Sequence, residues 1–89
     1  MEVEFRKSFE KDLSKLRNQA LLAKIKAVIL EIEEAEALED VSNVKKLKAD
    51  GDYYRLRVGD YRVGIFIDEY VVVLVRVIHR KEVYRYFPF

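Results

Sequence analysis

Gly59-Asp60 separates two stretches in which apolar and polar residues alternate, and this arrangement limits what the chain can fold into more than any other feature. Tyr53 to Arg62 reads Tyr-Tyr-Arg-Leu-Arg-Val-Gly-Asp-Tyr-Arg. Tyr, Leu and Val favour pleated strands, and Gly-X is a two-residue turn that closes a β-hairpin. A tight turn pairs Val58 with Tyr61 and sets Arg57 directly opposite Arg62. Like charges facing each other across a ladder cost a few tenths to about 1 kcal/mol. Alternation with period two also puts Arg55 on the face of Arg57 and Arg62. Three guanidiniums gathered on one patch, with no acid among them, suit a polyanion such as phosphate. The competing explanation is a solvated strand face from which long side chains splay into water.

The rest of the pattern builds around that hairpin. Tyr61 to Asp68 continues it, with Tyr54, Leu56, Val58, Tyr61, Val63, Ile65 and Ile67 toward a core. Val71 to Ile78 is apolar on both faces for most of its length, as a central strand is. A three-residue turn through Tyr70 is expected before it. That register sends Val71, Val73, Val75 and Val77 inward and keeps Arg76 outside beside Arg62, because an unpaired buried guanidinium costs several kcal/mol. Arg76 then joins the arginine face, and Phe66, Val72 and Leu74 form an exposed apolar band, the mark of a partner surface.

Upstream, Val3 to Phe5 reads as a short first strand. Phe5, Phe9, Leu13 and Leu16 form the stripe of a helix that Ser8 is expected to cap. Leu21, Leu22, Ile25, Val28, Ile29 and Ile32 form the stripe of a longer one, and the short break at Arg17-Asn18 predicts a helix hairpin. Val41 to Gly51 reads as a loop with Leu47 as its anchor, including the Ala49-Asp50-Gly51 turn. In the tail, from His79 to Phe89, basic and aromatic residues interleave, and Val83, Tyr84 and Phe87 are expected to pack a last helical turn. The predicted fold is α+β over residues 1–89 as a single domain. An N-terminal strand and a two-helix hairpin pack on one face of an antiparallel sheet of about four strands.

Net charge is +1, so affinity for nucleic acid has to come from local clustering. Tyr53 to Phe89 carries six Arg and one Lys against two Asp and two Glu, while Glu31 to Asp40 is net −6. The acidic run reads as a solvated face. Its carboxylates do not converge, so no metal site is read and no cofactor is expected. The absence of cysteine excludes thiol catalysis and disulfides and fits a reducing cytoplasm. The charged first residues and the short apolar runs give no signal peptide and no membrane span.

Three segments in this order carry a resemblance. They are Val44-Lys45-Lys46-Leu47-Lys48, Tyr54-Arg55-Leu56-Arg57-Val58-Gly59-Asp60-Tyr61-Arg62-Val63, and His79-Arg80-Lys81-Glu82-Val83-Tyr84. Together they resemble the RelE/ParE family of toxin–antitoxin toxins over essentially the whole chain. The resemblance implies the fold above and a cognate antitoxin as partner, with Phe66, Val72 and Leu74 as its expected seat. RelE-like members cut mRNA in the ribosomal A site; ParE-like members poison DNA gyrase and cut no RNA. The resemblance further implies Arg62 and Arg80 as phosphate clamps. Arg55, Arg57, Arg76, Lys45, Lys46 and Lys48 are expected on substrate phosphates, and either His79 or Tyr84 as the acid or base. The endoribonuclease reading is preferred, because gyrase inhibition does not need His79 and Tyr84 beside the arginines.

Overall fold

The computed structural model describes residues 1–48 and 50–88; Ala49 of the predicted loop and Phe89 of the tail lie outside them. The elements are β1 (Glu2–Phe5), α1 (Lys7–Ser14), α2 (Gln19–Glu34), a 3-10 turn at Leu38–Asp40, β2 (Val44–Lys46), β3 (Tyr53–Val58), β4 (Tyr61–Asp68), β5 (Val71–His79) and α3 (Val83–Tyr86). They form one five-stranded sheet in the order β1-β5-β4-β3-β2. Neighbours run antiparallel except β1, which lies parallel to β5. The strand beyond the expected four is β2, which pairs Lys45 with Arg55 along the open edge of β3. Three residues, two of them lysines, are too few to show alternation in sequence.

Local chemistry accounts for the helix starts. The Asn18 side chain accepts a hydrogen bond from the Leu21 N–H at 3.0 Å and caps α2. Ser8 is not a cap. Arg6 precedes the first turn of α1, and the Ser8 hydroxyl donates instead to the Val75 carbonyl at 2.6 Å, tying α1 to β5. Phe9 of α1 and Leu21, Ile25 and Ile32 of α2 are buried against Leu56, Val63, Ile65, Val72 and Leu74 of the sheet. Full burial of each such side chain contributes about 1.5–3 kcal/mol. The first residue of the acidic run has a structural job: the Glu31 carboxylate accepts from the backbone N–H and the hydroxyl of Ser42, both at 2.9 Å.

The β4–β5 connection corrects the expected register. Asp68 pairs with Val71, so the turn has two residues, Glu69 and Tyr70, with Glu69 at φ 54°. Val72 and Leu74 therefore point into the helix-side core, with 1% and 0% of their surfaces exposed. The expected exposed band does not exist: two of its members are core, and Phe66 is half-buried against the Tyr53 ring at 5.0 Å. Strict alternation from Leu74 would drive Arg76 inward. A β-bulge opposite Gly64/Ile65 prevents this by shifting the phase, so that Val77 returns to the core and Arg76 does not enter it.

The face of the sheet away from the helices is also covered. Ile78, Val83 and Phe87 form a second buried cluster with Leu47, Tyr53 and Val75 around it. Leu47 is thus an anchor, but into this cluster, and α3 closes over the sheet with Val83 and Phe87 while Tyr84 stays 79% exposed.

Candidate functional site

The tight turn at Gly59-Asp60 forms as its residues dictate, with Gly59 at φ 59° and Val58 paired with Tyr61. Arg57 consequently faces Arg62 across the ladder, and Arg55 faces Gly64. Because Lys45 pairs with Arg55, β2 adds its ammonium to the same face. One cleft is lined by Asn43, Lys45, Arg55, Arg57 and Arg62, and an adjoining one by Arg55, Arg62, Arg80, Lys81 and Tyr84. Arg55 and Arg62 form the wall the two share.

Arg62 is oriented from below. Its Nη1 donates to the carbonyls of Gly59 at 3.0 Å and Tyr61 at 2.9 Å, and its Nε and Nη2 hydrogens remain available. Burial first, then the positive charges of Arg55, Arg57 and Arg80, pushes its affinity for a proton below the ordinary guanidinium value. The cluster repels itself, and an anion that enters relieves that repulsion. The carboxylate nearest Arg80 is Asp60, 3.9 Å away with both side chains more than half exposed, so water screens the pair.

Tyr84 completes the site. The guanidinium carbon of Arg55 lies 4.8 Å from the centre of its ring. Hydrogen bonding to Arg55 is the main influence holding the phenol below its usual range, and the charges of Arg55, Lys45 and Arg62 act in the same direction. A phenol tuned this way, beside cations that can hold a phosphate, has the makings of a proton-transfer group.

Other expected site residues lie elsewhere. His79 pairs with Tyr61 on the helix side, their rings edge to face at 5.3 Å, and its Nδ1 accepts the Lys81 N–H at 3.1 Å. The reason is strand alternation: Ile78, not His79, stands beside Arg62. Arg76 is neutralised by Asp12 of α1, with Nε and Nη2 donating to the carboxylate at 2.6 and 3.0 Å. Lys46 pairs with Tyr54 and so faces the helix side, 3.8 Å from Asp52. Lys48 is exposed beyond the end of β2 and lines neither cleft. Sequence reasoning missed Lys81, although it sits inside the quoted His-Arg-Lys segment. It also missed Asn43, whose φ of 63° and carbonyl bond to the Arg57 N–H shape the rim.

With that geometry in hand, similarity to known proteins is informative. A family model described as "ParE toxin of type II toxin-antitoxin system, parDE" matches residues 3–84. Toxin RelE3 of Methanocaldococcus jannaschii is 40% identical over 89 residues, covering 99% of this chain and 100% of that protein. The crystal structure of the RelB-RelE antitoxin-toxin complex from Methanococcus jannaschii contains a chain that matches with TM-score 0.81 and 38% identity, over 96% of this chain and 99% of that one. The archaeal RelE-RelB complex from Pyrococcus horikoshii OT3 matches with TM-score 0.72 and 26% identity, over 89% and 93%.

Proposed function

Because the chain belongs to the RelE/ParE family of toxins from type II toxin–antitoxin systems, we propose that its arginine-lined cleft cuts mRNA in the ribosomal A site. The observation that carries this reading is the gathering of Arg55, Arg57, Arg62 and Arg80 on two adjoining clefts that share the Arg55–Arg62 wall, with the Tyr84 ring resting on Arg55. The Tyr84 phenolate takes the proton from a ribose 2′-hydroxyl, and that oxygen attacks the adjacent phosphorus. Arg62 and Arg80 hold the non-bridging oxygens, on which negative charge builds up. The bond to the 5′-oxygen breaks, and that oxygen needs a proton. Guanidinium hardly gives one up, so we assign the donor to Lys45, across the Arg55–Arg62 wall from the Tyr84 cleft. The products are a 2′,3′-cyclic phosphate and a 5′-hydroxyl. His79 has no part in the step.

The RelB-RelE complexes among the relatives support a cognate antitoxin as partner. Its seat cannot be the Val72–Leu74 pair, which is core. Work on translating ribosomes implies a cytoplasmic protein; among the described residues no helix is long and apolar enough to cross a membrane.

The test is cleavage of a transcript on translating ribosomes, with the cut ends mapped. Wild-type protein cuts within codons, and Arg62→Ala loses on the order of 10²–10³-fold in rate with an unchanged circular dichroism spectrum. The family model carries the ParE name, so gyrase supercoiling is assayed beside it. Intact transcripts together with inhibited supercoiling would replace this reading with gyrase poisoning.

A further inference from the structure

We propose that Gly64 and Phe87 act as a notch and key that position Tyr84 for the reaction, a role that rests on the nuclease reading of the cleft. Gly64 is the cross-strand partner of Arg55. Tyr84 and Phe87 lie three residues apart at the last helical turn. That turn therefore lays Phe87 on Gly64 and Tyr84 on the neighbouring Arg55, matching one helical step to one cross-strand pair.

The notch depends on the missing side chain. Gly64 is not among the glycines with positive φ, which are Gly51 and Gly59, so its backbone conformation does not call for glycine. Space does. A Cβ at position 64 would lie 2.6 Å from two carbons of the Phe87 ring, where ordinary contact begins near 3.4 Å. The ring is seated in the notch with 4% exposure, while Tyr84 is 79% exposed. Phe87 also meets the Tyr53 ring edge to face at 5.7 Å, so the key is held from the side. Tyr84 has little packing of its own, and its location follows from that anchor together with its buried neighbour Val83.

The test uses protein labelled with 13C at tyrosine Cζ and follows the Tyr84 resonance through a pH titration, without RNA. The groups facing Tyr84, which are Arg55, Lys45 and Arg62 with Arg80 and Lys81 lining the same cleft, are unchanged in every variant below. In wild type Tyr84 titrates below the ordinary tyrosine value of about 10. In Gly64→Ala and in Phe87→Leu it moves up toward that value. On ribosomes the same variants lose on the order of 10–100-fold in kcat with KM nearly unchanged, the signature of misplacement. Leucine leaves room for a methyl, so the double variant Gly64→Ala/Phe87→Leu is less impaired than the two losses combined. Circular dichroism checks folding, and if Gly64→Ala does not fold, Phe87→Leu alone decides. An unmoved Tyr84 titration in folded variants overturns the proposal. A moved titration in a protein that cuts no RNA keeps the positioning role and rejects the nuclease instead.

Discussion

Replacing Asp12 with Ala is expected to cost this domain about 2–3 kcal/mol of stability. Asp12 sits on α1 beside the stretch of β5 that lies past the end of β1, where no strand covers the edge. Its carboxylate accepts three hydrogen bonds: Arg76 Nε at 2.6 Å, Arg76 Nη2 at 3.0 Å and the Val77 N–H at 3.1 Å. Removing it orphans a backbone donor and strips a guanidinium of its partner. Breaking a fully buried pair from one side costs about 3–5 kcal/mol. Here the two side chains are 27% and 11% exposed, so water screens part of the loss and the lower figure applies. In a domain of this size about 2–3 kcal/mol lowers the melting temperature by roughly 10–20 °C. Arg76→Met should cost less, because Asp12 keeps the Val77 N–H. The double variant should reveal a coupling of about 1–2 kcal/mol. Bonding to Asp12 raises the Arg76 proton affinity. A raised basic group stabilises below its unfolded pKa and loses that contribution only above it, so Arg76 adds no pH dependence across the usual buffer range. Thermal and urea melts of the four proteins provide the measurement. If Asp12→Ala melts within a degree or two of wild type, the edge cap contributes nothing and Arg76 has to be counted as free to join the cleft.

The other predictions concern the cleft. Arg57→Glu replaces a like-charge cross-strand pair with an opposite one, so it should stabilise the fold by a few tenths to about 1 kcal/mol while weakening RNA binding. Melting curves and a salt-titrated binding assay check both signs, and a lower melting temperature refutes the repulsion argument. Arg55→Ala removes the main influence that depresses the Tyr84 phenol, so phenolate forms only at higher pH and the alkaline rise of the pH–rate profile moves upward. His79→Ala should leave that profile unshifted; a lost or displaced limb would return His79 to the chemistry.

Much of this protein was readable from its residues because the relevant interactions are local. Gly59-Asp60 sets a two-residue turn, and from that alone follow the Arg57–Arg62 confrontation and the side on which Arg55 lies. Helical spacing likewise specified the buried stripe Leu21, Ile25 and Ile32. What depends on contacts between distant segments was not readable. The bulge at Val75 lets a two-residue turn coexist with an Arg76 outside the core, where Asp12, more than sixty residues earlier in the chain, receives that arginine. The two-residue turn buries Val72 and Leu74, and the phase shift after them turns His79 to the helix side. Choosing between His79 and Tyr84 needed the three-dimensional fold, because the docking of Val83 and Phe87 on the sheet sets the phenol against Arg55. Alternation and turn chemistry act within a few residues and leave their mark on the sequence. Partner choice across the fold is governed by where separate elements meet, and no short window of the chain records it.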